Sequence, residues 1–210
     1  MTPKFKNGLL YFLILVYVSG TIGFLARPDF FLPFTPFTLL LTVLVFLMHQ
    51  NLNFSRLIVG FLVLSLIGFV IEVIGVATGM VFGPYVYGET LGSKLAGVPL
   101  TISLNWALLV NAGALIGQKL VNNKTAAALI CASIATGIDF LIEQIAPAFD
   151  FWYFENHLAG LQNYIAWFLI SFLLAFLWLR FIGEGNERIA AWILGLQVLF
   201  FGTLVLISFS

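Results

Sequence analysis

Three acidic side chains stand inside long apolar segments of this sequence. Glu72 lies in the segment 57–78, and Asp139 and Glu143 lie in the segment 125–146. No lysine or arginine occupies the middle of any apolar segment, so the sequence offers these acids no evident basic partner. Because ionisable residues inside a membrane usually mark a functional site, we expect Glu72, Asp139 and Glu143 to be catalytic. The alternative is that they only satisfy other polar groups.

The two acids of the second segment are four residues apart and therefore share one face of a helix. Like charges at this spacing repel each other, and apolar surroundings disfavour the charged form of a carboxyl group. We therefore expect at least one of Asp139 and Glu143 to keep its proton at neutral pH. A carboxylic acid that stays neutral is ready to act as a proton donor.

Counting along the helices predicts that these polar groups lie at a common depth. Glu72 comes six residues before the end of its segment and Asp139 seven before the end of its own. At about 1.5 Å per residue, both lie roughly 10 Å below the same surface. Asn105 and Asn163, near the beginnings of their segments, reach a similar level. The groups form one cluster if the four helices are neighbours.

A stretch of glycines and aromatic residues, 80–98, connects the segments that carry Glu72 and Asn105. Irregular backbone near membrane depth is tolerated where it is buried in protein or lines a cavity. We therefore predict a lid or partial re-entrant cap over the acids; an ordinary interfacial loop is the alternative. A second aromatic patch, 149–154, is expected on the same side.

Tryptophans one helical turn inside two other segments add to these rings. Aromatic faces at this level could line a slot for a flat polyene and stabilise a cation. The predicted substrate-binding residues are Asn105, Trp106, Asn163, Trp167, Phe82, Tyr85 and Tyr87.

Composition indicates that the solvent of this chain is a lipid bilayer. Its 210 residues are 61% hydrophobic and only 9% charged, whereas a soluble domain carries about 25% charged residues. The net charge is zero, so no basic patch for nucleic acid is expected. The single cysteine, Cys131, excludes a disulfide framework or a cysteine metal cluster.

Seven apolar segments are long enough, or nearly so, to cross a bilayer, which needs about 20 helical residues. They are 8–25, 35–50, 57–78, 100–120, 125–146, 162–181 and 189–209, of which the second is short. The fold class is therefore all-α: a polytopic membrane bundle of about seven helices with a glycine and aromatic cap loop. Because the loops are short, we expect a single domain over 1–210. Gly113 and Gly117 form a GxxxG pattern, typical of close helix packing.

Lysine and arginine counts predict the orientation in the membrane. We expect the first segment to stay in the protein, since no signal cleavage site follows it. With a cytoplasmic N-terminus, seven basic residues lie inside and two outside. The inner ones are Lys4, Lys6, Arg56, Lys119, Lys124, Arg180 and Arg188, and the outer ones are Arg27 and Lys94. The prediction is a multi-pass protein of the inner (cytoplasmic) membrane with its C-terminus outside.

The sequence lacks the residues that several membrane functions require, which argues against those functions. Two isolated histidines do not suffice for an iron desaturase or oxygenase. A prenyltransferase needs repeated aspartate-rich motifs for magnesium and diphosphate, but this sequence has a single D-x-x-x-E. A retinal protein needs a lysine inside a helix, and none is there. A proton-coupled carrier stays open because membrane acids can relay protons, although carriers typically show internal repeats and none is found here.

The motifs assembled above resemble the carotenoid biosynthesis protein family, which includes the cofactor-independent carotenoid hydratases of the CruF type. The resemblance covers the central half of the chain. It rests on E-x-x-G-x-x-T-G from Glu72, F-G-x-Y-x-Y from Phe82, G-V-P-L from Gly97, Asn105-Trp106, the Asp139/Glu143 pair and N-Y-I-A-W from Asn163.

The resemblance implies addition of water across the terminal C1=C2 double bond of an acyclic carotenoid end group, of the lycopene or γ-carotene type. The implied partners are a membrane-dissolved carotenoid and the lipid bilayer, and other carotenoid enzymes are candidates for further partners. The resemblance implies that no cofactor is needed. Our hypothesis is that Asp139 donates the proton and Glu72 is the water-side base, while Asn105 and Asn163 orient the reactants. A carotene cyclase or isomerase begins with the same protonation and stays an alternative.

Overall fold

The computed structural model describes residues 2–208, and seven helices of that part are long and apolar enough to cross a membrane. This confirms the prediction of an all-α polytopic bundle. The helices are α1 (Pro3–Ala26), the short α2 (Pro28–Phe31), α3 (Thr35–Met48), α4 (Phe54–Thr78), α5 (Leu100–Leu120), α6 (Lys124–Glu143), α7 (Leu161–Phe181) and α8 (Glu187–Ser208). Phe209, the predicted end of the seventh segment, lies outside the described residues.

Several helix bounds differ from the predicted segments: α1 begins at Pro3 instead of residue 8, and α4 begins at Phe54 instead of residue 57. The second span is longer than predicted, because α2 and a 3-10 turn at Leu32–Phe34 precede α3 and extend the apolar stretch to Pro28–Met48. In contrast, α6 ends at Glu143, three residues early. Pro147 disfavours helical backbone at the residue before it, and residues 144–150 form turns instead. Glu143 therefore lies at the very end of its helix.

Helix α5 is the centre of the bundle and packs against α3, α4, α6, α7 and α8. Its contact with α6 depends on the predicted glycine pattern. A Cβ on Gly113 would lie 2.8 Å from Cys131 Sγ, and one on Gly117 would lie 2.2 Å from the Ala127 carbonyl oxygen. The missing side chains let the two backbones approach closely, which brings α5 and the acids of α6 together.

The polar ends of the helices are stabilised locally. Asn53 and Asn123 cap α4 and α6, their side-chain oxygens accepting from the amides of Arg56 and Ala126. Gly79 ends α4 in the left-handed conformation, with φ at 65°, which glycine adopts without steric cost. This glycine turns the chain from α4 into the cap loop.

A pair of short antiparallel strands closes one end of the bundle. Strand β1 (Tyr85–Tyr87) pairs with β4 (Trp152–Phe154), so that Tyr85 lies opposite Phe154 and Tyr87 opposite Trp152. Strands β2 (Lys94–Leu95) and β3 (Val98–Pro99) form a second small hairpin. The two predicted aromatic stretches therefore pair with each other, and we call residues 80–98 and 144–160 together the cap.

Asp150 ties the two halves of the cap. Its carboxylate accepts from the Tyr153 hydroxyl and the Glu89 amide, both at 2.8 Å. Burial raises the pKa of Asp150, but these bonds, the Thr90 amide and the charge of Lys94 lower it more, so the net pKa is below its usual value.

Candidate active site

Glu72 lies beneath the cap with only 3% of its surface exposed and is surrounded by hydrogen-bond donors. The Tyr85 hydroxyl and the Tyr87 hydroxyl both donate to its Oε2, the latter at 2.7 Å. The Trp106 indole nitrogen donates to Oε1 at 2.8 Å. Every partner is a donor, which is the arrangement that an ionised carboxylate requires. Oε1 still has room for one further donor.

The two tyrosines are held in their donating form. Burial raises the pKa of each hydroxyl, and the negative charge of Glu72 beside it raises the pKa further. Both hydroxyls therefore stay protonated well above neutral pH and keep their hydrogen bonds to Glu72. The cap loop thus reaches down to the acid of α4, as the predicted lid would.

Asp139 and Glu143 share one amide from the neighbouring helix α7. The Asn163 side-chain nitrogen donates to Asp139 Oδ2 at 2.8 Å and to Glu143 Oε1 at 3.3 Å. The Trp152 indole nitrogen donates to the other oxygen of Glu143 at 3.0 Å. Among the described residues, no group hydrogen-bonds to Asp139 Oδ1, so this oxygen is free for a proton or a ligand.

One small cavity, which we call the acid pocket, brings the three acids together. Its volume is about 30 Å³, which is enough to hold at least one water molecule. The polar side chains around it are Glu72, Asp139, Glu143, Asn105 and Asn163, and the rings around it are Phe82, Tyr85, Tyr87, Trp152, Phe154 and Trp167. Acids from α4 and α6 therefore do meet at one level, together with two amides and several aromatic faces.

A larger cavity of about 100 Å³ adjoins the acid pocket. We call it the apolar slot. It lies between α1, α3, α5 and α8, and its lining is dominated by residues such as Val16, Leu39, Phe200 and Phe201. The slot suits an isoprenoid hydrocarbon, because burying apolar surface there is favourable and little polar surface competes.

Four residues line both cavities: Ile102, Asn105, Ile142 and Trp152. Of these, Asn105 is half-buried, and among the described residues its side chain has no hydrogen-bond partner. Its amide is thus available to a water molecule or ligand at the junction. A hydrocarbon end in the slot would meet the acids across this junction.

Trp106 differs from the other predicted substrate-binding residues. It does not line either cavity, is 1% exposed, and packs its Cβ against Gly68. Its ring stacks on Trp167 with 3.9 Å between centroids and an angle of 8°. Trp106 therefore lies behind the pocket wall, where it binds Glu72 and supports the ring of Trp167 that faces the cavity.

Sequence reasoning did not assign three residues that the cavities contain. Trp152 belongs to the second aromatic patch but was not expected to bind an acid. Tyr17 and Gln197 line the apolar slot from α1 and α8. A glutamine inside a span that is otherwise so apolar is the one feature that could have indicated Gln197.

Comparison with known proteins relates this arrangement to one family. The family described as "Carotenoid biosynthesis protein" matches residues 34–209. The chain is also similar to the bisanhydrobacterioruberin hydratase of Haloarcula japonica, with 32% identity over 114 residues. That alignment covers 50% of this chain and 39% of the relative's length. No solved structure matches the chain.

Proposed function

The chain belongs to the carotenoid biosynthesis protein family, and from this premise we propose that it is a membrane-embedded carotenoid hydratase. It adds water to the terminal C1=C2 double bond of an acyclic carotenoid end group of the lycopene or γ-carotene type. The observation that carries the proposal is a small pocket with room for water, lined by three carboxyl groups, that adjoins an apolar slot.

The reaction begins with a proton from Asp139. This carboxyl group has an oxygen without a protein donor and lines the pocket, so in its protonated form it can deliver a proton to C2. The π electrons of the double bond form the new C–H bond, and a tertiary cation is left at C1. The ring faces around the pocket and the nearby carboxylate of Glu72 stabilise that positive charge.

Water completes the addition at C1. One molecule fits the acid pocket and can be oriented by the free amide of Asn105. As its oxygen forms the C–O bond, the water loses a proton to the remaining acceptor position on Glu72 Oε1, and the proton returns to Asp139 before the next turnover. The net reaction is alkene plus water to tertiary alcohol, with no change of oxidation state in the protein.

The distribution of basic residues supports a proposal for the location and orientation of the protein in the membrane. We propose a multi-pass protein of the inner membrane with a cytoplasmic N-terminus, supported by seven basic residues on the inner side against two on the outer side. The cap and the acid pocket then lie toward the outer face, where water reaches the pocket over a short distance.

The test is to incubate membranes that contain the protein with lycopene or γ-carotene in ¹⁸O-labelled water. We expect a product heavier by one labelled water molecule, by mass spectrometry. A cyclised or isomerised product of unchanged mass would replace hydration by the cyclase alternative, and no product from either carotenoid would contradict both. Membranes that carry the Asp139→Asn variant are the control.

A further inference from the structure

We propose that the apolar slot contains a binding site for the hydroxyl group of a carotenoid end, formed by Gln197 with support from Tyr17. This inference rests on the proposed function, since it names a further feature of that function's ligand. It starts from an acceptor that the fold leaves unpaired. Gln197 is 3% exposed, and among the described residues its side-chain carbonyl has no hydrogen-bond partner.

The hydrogen bonds around Gln197 have a defined direction. The Thr42 hydroxyl donates to the Thr38 carbonyl oxygen at 2.7 Å, so its single proton is used. The Tyr17 hydroxyl, 3.2 Å from the Thr42 oxygen, must therefore be the donor in that contact. The oxygen of Tyr17, which lies next to Gln197, can then accept only from the amide N–H of Gln197.

The amide carbonyl oxygen of Gln197 is then the acceptor in this group that has no donor. Leaving such a group buried without a donor is unfavourable, and native proteins seldom leave it without a partner. Gln197 and Tyr17 both line the slot, so a ligand there can supply the missing donor. A hydrocarbon cannot, but an alcohol can, since its O–H group donates.

The other walls of the slot indicate which kind of molecule bears this hydroxyl group. Its walls near Gln197 are apolar, with Val16, Phe200 and Phe201 among them, and they suit an isoprenoid skeleton rather than a polar metabolite. The hydroxyl is one that the substrate already carries beside its double bond, or the tertiary alcohol that the reaction makes. In both cases the alcohol binds more tightly than the matching hydrocarbon.

A panel of short isoprenoids tests the proposal by isothermal titration calorimetry on the purified protein in detergent. The panel contains a hydrocarbon with the terminal double bond, its hydrated tertiary alcohol, alcohols that keep the double bond and carry the hydroxyl at increasing distances from it, and the methyl ether of each alcohol. At least one alcohol should bind about five- to tenfold more tightly than its methyl ether. The alcohol that is preferred identifies the source of the hydroxyl.

The variant Gln197→Met should lose this preference and still bind the hydrocarbon. The substitution removes an unpaired acceptor together with the amide N–H that faces the Tyr17 oxygen, and these two effects oppose each other, so its thermal stability should change little. Gln118→Met, the same change outside both cavities, should keep the wild-type preference. Equal affinity for every alcohol and its ether would overturn the proposal, and so would a preference that survives in Gln197→Met. The first result would mean that no ligand hydroxyl binds Gln197, and the second that the hydroxyl binds at another group.

Failure here is separable from failure of the proposed function. Binding is measured without turnover, so an alcohol preference can be lost while labelled water is still added to lycopene. Conversely, a protein that prefers the alcohol but adds no water to any carotenoid would keep the hydroxyl site and lose the hydratase assignment.

Discussion

Replacing Asp139 by asparagine tests the proposed proton donor while preserving its surroundings. The amide has nearly the same shape, and its oxygen can still accept the hydrogen bond that Asn163 donates at 2.8 Å. The atom that faces the pocket becomes an NH2 group, which does not supply an acidic proton. Removal of a general acid typically costs a factor of 10²–10⁴ in rate, and we expect a loss in this range.

The stability of Asp139→Asn should stay close to wild type, since no buried donor loses its acceptor. Glu72→Gln provides the contrast. Two tyrosine hydroxyls and one indole N–H converge on the two oxygens of Glu72, whereas glutamine has one oxygen. At least one donor must then face an NH2 group, at a cost of about 1–3 kcal/mol. Glu72→Gln should therefore lose both activity and thermal stability.

The assay is the initial rate of ¹⁸O incorporation into the carotenoid, together with the thermal unfolding midpoint in detergent. Glu155→Gln, the same chemical change at an exposed acid of the cap, serves as the control and should alter neither quantity. An Asp139→Asn protein that keeps more than about a tenth of the wild-type rate would refute Asp139 as the proton donor.

Three further perturbations address the scaffold. Gly117→Ala places a Cβ 2.2 Å from the Ala127 carbonyl oxygen, so α5 and α6 must separate; we expect about 2 kcal/mol of destabilisation in denaturant unfolding, and unchanged stability would contradict the close packing. Gly88→Ala places a Cβ 2.2 Å from two oxygens of Asp150, so the cap should open and the hydration rate should fall. The thermal unfolding midpoint of the helical bundle should change less than the rate does. Because the pKa of Asp150 is lowered in the folded protein, its contribution to stability is present above its ordinary pKa of about 3.9 and is lost as the pH falls below that value. The protection factor of the Gly88 amide, which compares its exchange rate with that of an unprotected amide at the same pH, should therefore fall below about pH 4, and this fall should vanish in Asp150→Asn.

Local information was sufficient for the secondary structure of the bundle. Apolar runs of about 20 residues identify membrane helices because the bilayer requires that length, and every predicted segment corresponds to a helix of the structure. The ends were less predictable. The extension of the second span through Pro28 and the early end of α6 at Glu143 depend on proline geometry and on packing under the cap.

Depth along a helix could also be counted from the sequence. The rise of 1.5 Å per residue predicted that Glu72, Asp139 and Asn163 share one level, and all three line the acid pocket. The assignment of their roles stays a prediction, because shared depth identifies a cluster but not which acid gives the proton.

Residue order alone carries no information about which helices are neighbours or how each is rotated about its axis. These properties come from packing between distant segments, such as the close approach of α5 and α6 at Gly117 and the pairing of Tyr85 with Phe154 in the cap. They explain why Trp106 turned out to bind Glu72 behind the pocket wall, and why Gln197, far along the chain, came to face the slot. The helices of a membrane protein can be predicted from the hydrophobicity of its sequence. Its cavities cannot, because they exist only where the side chains of several helices leave space between them.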